Sequence, residues 1–454
     1  MKLYKFRSNY EFLKEELQEE YLYFAEPSEL NDPLEGFIKL YWKGDLVLWK
    51  NLLKHYLYTL ANTVVQIAID GKIIENEVPI FFDEGHFPTN QYKSLFEEIR
   101  NAFFEEETIK DFLVYLEKVK HRIYEKELIS YLKFIHFIAL NCVIRKFEER
   151  SLINWNFPIS NQNHGIFKQF VQLIPEIEKT QKEVLPFIFQ VVNSVTSNMN
   201  FEIKNDFRIQ DNYENKTLLL IDFVDLYVQQ LKNIIFYSPC VTCFMESYKS
   251  PAVWGYYANS HKGICLIFDD EKEDTTEIHF DLSGNGIGIH TTTQKVKYRK
   301  KLKEVDFFRM IGRISLYGLD NFWLTDWDGN RSKYSRINEN ILTSEWHKKY
   351  VKSMMDSYTT KLTSWKHEKE HRIVLEKELL SMTKDDPNSK KISYDFNLLK
   401  GIIFGLKTPE SEKMEIIELI QNKCKESNRK DFKFYQAEYD EFKGEISVSE
   451  IELH

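Results

Sequence analysis

Glycine and proline are scarce, with 16 and 11 in 454 residues, about half their usual combined share. That leaves too few turn formers for a collagen-like, linker-rich or many-turned all-β chain, and it favours long helices. The five cysteines (Cys142, Cys240, Cys243, Cys265 and Cys424) are odd in number and scattered. They exclude a disulfide scaffold and point to a reducing, cytoplasmic setting. No run approaches the roughly 18 consecutive apolar residues of a membrane span. The first residues turn charged directly after one short strand-like stretch, so no signal peptide is expected either. No glycine-lysine phosphate loop occurs, and nothing supports a P-loop ATPase. A net charge of −9 gives no global pull toward nucleic acid or acidic lipid. What the chain does have is 43% hydrophobic and 29% charged residues, with 34 Phe and 25 Tyr. A sizeable core and aromatic-rich pockets are therefore expected, in roughly two to four domains.

Hydrophobic periodicity divides the chain into three blocks. Residues 1–40 hold a strand-like run over Lys2 to Arg7, an amphipathic helix with Phe12, Leu13 and Leu17 on one face, and a second strand over Tyr21 to Ala25. Residues 41–235 repeat at three and four, over Leu46–Ile69, Tyr92–Phe147, Ile166–Met199 and Lys216–Ile235. From Phe236 the period changes to two, in PCVTCF, GICLIFD, TEIHFDL, KVKYRK, RIVLE, KKISY, LLKGIIFGL and KFYQAEY. Two helices interrupt these strands: one capped by Ser250 with Pro251 in its first turn and Gly263 as its stop, the other over PESEKMEIIELIQNKC. A longer helical stretch is expected over 303–364. The fold class is α+β, with a mixed β core built from 1–40 and 236–454 and a large all-helical bundle, 41–235, inserted between them.

Several short motifs invite chemistry. His367-Glu368-Lys369-Glu370-His371 matches the zinc-peptidase pattern H-E-x-x-H, but its charged neighbours and the strand-like Arg372-Ile373-Val374-Leu375 after it argue against a buried helix. No metal site is expected. Read as extended chain, Glu368, Glu370 and Arg372 share a face, and two carboxylates beside an arginine can hold a sugar hydroxyl and stabilise a developing cation. The alternative is a surface ion pair. Trp254, Tyr257 and His261 fall at i, i+3 and i+7, either a core stripe or the wall of a pocket for a flat ligand. Tyr4, Lys5 and Arg7 lie on the first strand, with Lys5 and Arg7 on one face. Asn31-Asp32-Pro33 with Glu35 forms a polar turn. Cys240 and Cys243 read as core thiols, and GNGIGIH at 284–290 reads as a hairpin turn rather than a dinucleotide loop. Lys295, Lys297, Arg299, Lys300, Lys301 and Lys303 put six cations within nine residues, a solvated junction or a phosphate contact.

Taken together, Tyr4-Lys5-Phe6-Arg7, Tyr23-Phe24 through Asn31-Asp32-Pro33-x-Glu35, Trp254 through Gly263, Trp365 through Arg372 and Ile402 through Gly405 resemble an uncharacterised bacterial domain-of-unknown-function family. The resemblance spans roughly 1–40 and 236–410, and 41–235 lies outside it. The layout is similar to ADP-ribosyltransferases of the toxin and phage-defence type, including those that modify DNA. That likeness implies an ADP-ribosyltransferase-type core with Glu370 as catalytic carboxylate and Glu368 as its partner. It implies NAD as substrate, contacted by Tyr4, Lys5, Arg7, Asn31, Trp254, Tyr257, His261 and Arg372. In this sequence Lys5 stands where such enzymes carry a His or Arg.

The implied activity is transfer of ADP-ribose to a protein or nucleic acid, or NAD hydrolysis, by an intracellular toxin or defence effector, with 41–235 available to a partner protein. Two rival classes remain: a magnesium nuclease built on Asp32, Glu35, Glu368 and Glu370, and a non-catalytic sensor.

Overall fold

A computed structural model describes residues 1–71, 78–80, 87–155, 184–207, 213–270, 278–284, 287–335, 344–377 and 386–453, together with positions 174, 176, 177 and 180. The expected break at 156–165 and the start of the helix expected from Ile166 lie outside the described residues. The protein is mixed α and β, and the chain divides into two compact units. One holds 1–37, 237–303 and 352–454, and the other 38–236 and 304–351. The helical unit thus takes in 304–351 besides 38–236.

The first unit is built on an eight-stranded sheet: β1 (Leu3–Arg7), β2 (Pro239–Met245), β3 (Ile264–Phe268), β4 (Gln294–Lys295), β5 (Glu370–Glu376), β6 (Leu399–Phe404), β7 (Lys433–Asp440) and β8 (Glu445–Glu450). Its order is β8-β7-β6-β3-β1-β2-β5-β4. All neighbours run antiparallel except β6 and β7. β1 therefore sits near the middle, flanked by strands more than 230 residues later in the chain, with Tyr4 opposite Met245 and Ile267. Its alternation decides which side chain goes where. Leu3 joins a core with Leu13, Leu17, Phe244, Phe268, Ile402 and Ile416, and Phe6 joins a separate one with Val253, Trp254, Cys265 and Ile403. A second, four-stranded sheet of Tyr21–Tyr23, Lys391–Tyr394, His279–Gly284 and Ile287–Thr292 contributes Leu22, Ile392 and Phe280 to the first core. Lys297–Arg299 and Thr360–Leu362 form a two-stranded parallel ribbon.

The helix over Pro251–Tyr257 starts as its sequence dictates, with Ser250 accepting from the Val253 N–H and Pro251 in the first turn. It ends at Tyr257, because Asn259, Ser260 and His261 all take left-handed backbone conformations. Gly263 follows where no side chain fits: a Cβ there would overlap the Arg7 carbonyl. One on Gly405 would overlap the His261 carbonyl. These two glycines let β1, β3 and β6 close on one another.

The second unit is mainly helical, including Leu46–Asp70, Asn90–Glu105, Glu107–Lys118, Glu125–Glu149, Leu185–Phe207 and Phe223–Gln230. Asp45 caps the first of these, and Gly71 closes it at φ 76°. A small sheet of Glu304–Asp306, Lys39–Trp42 and Ile123–Tyr124 belongs to this unit as well. Glu125–Glu149 is long and apolar enough to cross a membrane, and 72% of its most apolar window is buried inside the protein. In its interior Tyr56 bonds His136 Nδ1 at 2.6 Å, and Tyr227 bonds His55 Nδ1 at 2.7 Å. Burial lowers the His136 imidazole to about 4, so it is neutral at physiological pH.

Candidate functional site

The functional features of the first unit converge where β5 begins. Thr363–Glu368 forms a short 3-10 helix, Lys369 takes a left-handed conformation at φ 48°, and the chain then enters β5 at Glu370. Glu368 and Glu370 both point inward and are buried, while Lys369 stays exposed. His367 and His371 are consequently not on one helix. His367 is exposed near the Ser364 carbonyl, and His371 Nε2 meets Glu246 at 2.9 Å. The zinc-peptidase geometry is absent.

Arg372 is 1% exposed and uses every donor it has. Its Nε and Nη2 bind the Glu370 carboxylate at 2.6 and 3.0 Å. Nη1 and Nη2 grip Glu35, and Nη1 also donates to the Tyr358 carbonyl at 2.8 Å. Lys361, from the ribbon strand Thr360–Leu362, places its ammonium 2.8 Å from Glu368, 2.8 Å from Glu370 and 3.6 Å from Glu35. Burial acts to raise the Glu370 carboxyl, but Arg372 and Lys361 overcome it and hold the group at about 2, firmly ionised. The Cys243 thiol beside Glu370 is pushed up by burial and by that charge, so it remains a neutral thiol. The three carboxylates face two fixed cations.

These groups open onto a cleft of about 210 Å³ whose wall includes Lys5, Asn31, Thr242, Tyr257, Glu368 and Glu370. Tyr257 donates its hydroxyl to Glu368, and Asn31 Nδ2 donates to the Tyr257 oxygen at 2.8 Å. Burial and then Glu368 raise the Tyr257 hydroxyl above its ordinary range, which keeps it protonated and a donor. Lys5 donates to Thr242 Oγ1 and to the Cys243 carbonyl, and lies 4.8 Å over the Phe244 ring. Burial, with Arg7 adding to it, lowers its ammonium to about 7.

The sequence-derived residues thus divide. Tyr4, Lys5, Arg7, Asn31, Tyr257, Glu368 and Glu370 all line the cleft. Arg7 does so as half of an ion pair with Glu16, so it is not a free anion grip. Trp254 does not line the cleft: it is fully buried, edge-on to Phe6, with Nε1 donating to the Tyr248 carbonyl at 2.6 Å. His261 is not on the helical stripe either. It lies beyond the helix end at φ 71°, where burial and then Lys407 lower its imidazole. Arg372 lies behind Glu370 and orients it rather than lining the cavity. Two further residues belong to the site. Glu35 was read as part of a polar turn and as a carboxylate of the nuclease alternative; in that turn Asp32 Oδ1 accepts from the Leu34 N–H at 2.9 Å and the Asp32 carbonyl accepts from the Glu35 N–H at 2.9 Å. Lys361 lies inside the stretch expected to be helical, and its signal was the β-branched Thr359-Thr360 before it.

The nuclease arrangement is not formed by these side chains. Asp32 serves its own turn, and the space among Glu35, Glu368 and Glu370 holds the Lys361 ammonium. Among the described residues, no cluster of three His, Cys, Asp or Glu side chains has a metal-binding arrangement. No family model matches the chain, and no curated protein or solved structure matches it.

Proposed function

We propose that the chain cleaves the nicotinamide–ribose bond of NAD and passes ADP-ribose to a macromolecular acceptor or to water, as an intracellular toxin or defence effector. The observation that carries this reading is Glu370, held ionised on the wall of the cleft beside a second buried carboxylate, Glu368. An ionised, buried carboxylate on a cleft wall favours a group that becomes positive as it reacts. When the glycosidic bond breaks, its electron pair leaves with nicotinamide and the ribosyl C1′ becomes cationic. Glu370 stabilises that cation through space, and the acceptor oxygen or nitrogen then bonds to C1′. Glu368, the second carboxylate on the cleft wall, takes the acceptor's proton. The Tyr257 and Tyr4 rings supply faces for the nicotinamide.

The cleft, at about 210 Å³, is smaller than a whole-ligand pocket of roughly 300–1,000 Å³. It suits the nicotinamide riboside half, with the adenosine end toward solvent. Arg7 is neutralised by Glu16, so Lys5 is the side chain left for the pyrophosphate, and its grip weakens as it loses its proton above about pH 7.

The experiment is nicotinamide release from NAD by wild type and Glu370→Gln, with and without bulk nucleic acid or cell lysate. The neutral isostere is expected to lower release at least about 100-fold while the circular dichroism spectrum is retained. A Glu370→Gln protein that releases nicotinamide at the wild-type rate overturns the reading. So does a folded wild type silent under every condition.

A further inference from the structure

The cationic run at 295–303 is fastened to the site. Tyr298, in the middle of the ribbon strand Lys297–Arg299, accepts the Glu370 N–H on its hydroxyl at 2.8 Å and lies opposite Lys361. Because side chains alternate along a strand, the residues on either side of Tyr298 face away from the cleft and into solvent. Lys295 pairs with Glu246, and Lys297 and Lys303 share Asp356. Arg299, Lys300 and Lys301 are exposed and have no ion-pair partner among the described residues. The turn Thr363–Glu368, which packs against this ribbon, adds exposed Lys366, and Lys369 follows it. In a chain of net charge −9, five such unmatched cations beside one cleft form a local field opposite in sign to the whole.

Aromatic rings stand among these charges. Trp365 sits on the same turn, stacked on His367 at 6.4 Å and 5.3 Å from the Lys361 ammonium. Tyr256 is 62% exposed, lies 6.4 Å from Trp365, and is in edge contact with the cleft residue Tyr257. Its edge contacts leave most of this ring exposed to solvent beside the cleft. Cations for phosphates combined with ring faces for unpaired bases are the elements of a single-stranded nucleic-acid surface. A duplex offers its phosphates but not its base faces.

We infer that this face, from Arg299–Lys301 across Trp365 to Tyr256, binds single-stranded nucleic acid and delivers it to the cleft as the ADP-ribose acceptor. The delivery half of this inference rests on the function proposed above, and the binding half does not.

The test is fluorescence anisotropy of a labelled mixed-sequence strand of about 20 nucleotides, titrated with the full chain at about 50 and about 200 mM KCl. Wild type is expected to bind with salt-sensitive affinity. Arg299→Glu/Lys300→Glu/Lys301→Glu is expected to weaken binding at least about 10-fold and to lower the log–log salt slope by about 2, near 0.7 per lost phosphate contact. Tyr256→Ala is expected to weaken it about 5-fold with the slope unchanged. Unaltered thermal unfolding of each variant establishes that the fold survives. Equal binding by the charge-reversed variant and wild type overturns the surface. Duplex DNA or polyglutamate binding as tightly as the single strand overturns it too, leaving a general anion or acidic-protein contact instead. NAD cleavage without strand binding counts against this surface alone. Strand binding without NAD cleavage counts against the proposed reaction and leaves the binding surface standing.

Discussion

Lys5 is held in the cleft by neutral partners, the Thr242 hydroxyl and the Cys243 carbonyl, while Lys361 and Arg372 a few ångströms away are matched by carboxylates. The difference shows in their protons. Lys361 is driven above its ordinary range despite burial, because Glu370, Glu368 and Glu35 surround it, whereas burial lowers Lys5 to about 7. Between about 7 and the ordinary 10.5 the unfolded chain holds a proton on Lys5 that the folded chain has lost. Stability from this residue therefore rises with pH across that window, and below it the buried ammonium is a constant cost. Lys5→Met removes the titration. In chemical denaturation, the stability difference between wild type and Lys5→Met is expected to shift toward wild type as pH rises from about 7 to 10.5. A pH-independent difference refutes the buried ammonium. Glu370, also lowered, gives a slope of the same sign at lower pH: its stabilising contribution is present above the ordinary 4.5 and is lost as pH falls toward about 2. Residue types at the site were legible because charged side chains at strand spacing are rare in a core. Their pairing was not, since Glu35 and Arg372 are 337 positions apart.

At the scale of elements, turns carry more of the site than strands do. The turn Asn31–Glu35 presents Asn31 to Tyr257 and Glu35 to Arg372, so a motif whose plain reading was structural is both structural and part of the site. The segment from Trp254 to Gly263 behaves the other way. Tyr257 reaches the cleft, while Trp254, Ala258 and Gly263 serve packing. Gly263→Ala would drive a methyl into the Arg7 carbonyl and displace β1 from β3. A loss of about 1–3 kcal/mol is expected from denaturation midpoints, with weakened protection of β1 amides in hydrogen exchange. Wild-type stability would show that the two strands separate more freely than their packing implies. Several strands were readable, among them the continuous apolar run Ile264–Phe268, buried at every position, the alternating Lys391–Tyr394, and the aromatic-rich Lys433–Asp440. Glu445–Glu450 went unread although Ile446 and Val448 alternate with Glu445, Ser447 and Ser449, because two apolar residues in a short edge strand are a weak signal. The stretch 303–364, expected to be helical, is only partly so. It contains the strands Glu304–Asp306 and Thr360–Leu362 and the helix Ser344–Tyr358, with shorter helical turns between the strand Glu304–Asp306 and that helix.

On the scale of the molecule, each unit has a core of its own, and both are discontinuous in sequence. Folding of the first unit must bring β1 between two strands of the segment 237–303, a high loop-closure cost that only long-range apolar burial offsets. Two unfolding transitions are expected in scanning calorimetry, with Phe244→Ala lowering one and Leu132→Ala the other, since each truncates a fully packed side chain of a single core. One transition that both substitutions lower equally would show a single cooperative unit instead.

The amino-acid order alone determined the class of the protein. Few glycines and prolines, a switch of period near Phe236 and scattered thiols were enough for an α+β chain with a helical block, because periodicity is local. It also singled out Glu368, Glu370, Tyr257, Lys5 and Asn31, since polar side chains in apolar strands and turns stand out without any partner. Tertiary structure decided everything that depends on partners: that Lys361 and Glu35 complete the charge cluster, that Arg7 is neutralised and Trp254 buried, and that 304–351 joins the helical unit. The reason is physical. Whether a charge is free, paired or held ionised depends on groups brought within a few ångströms by burial of the core, and no local pattern records which distant residue will arrive there.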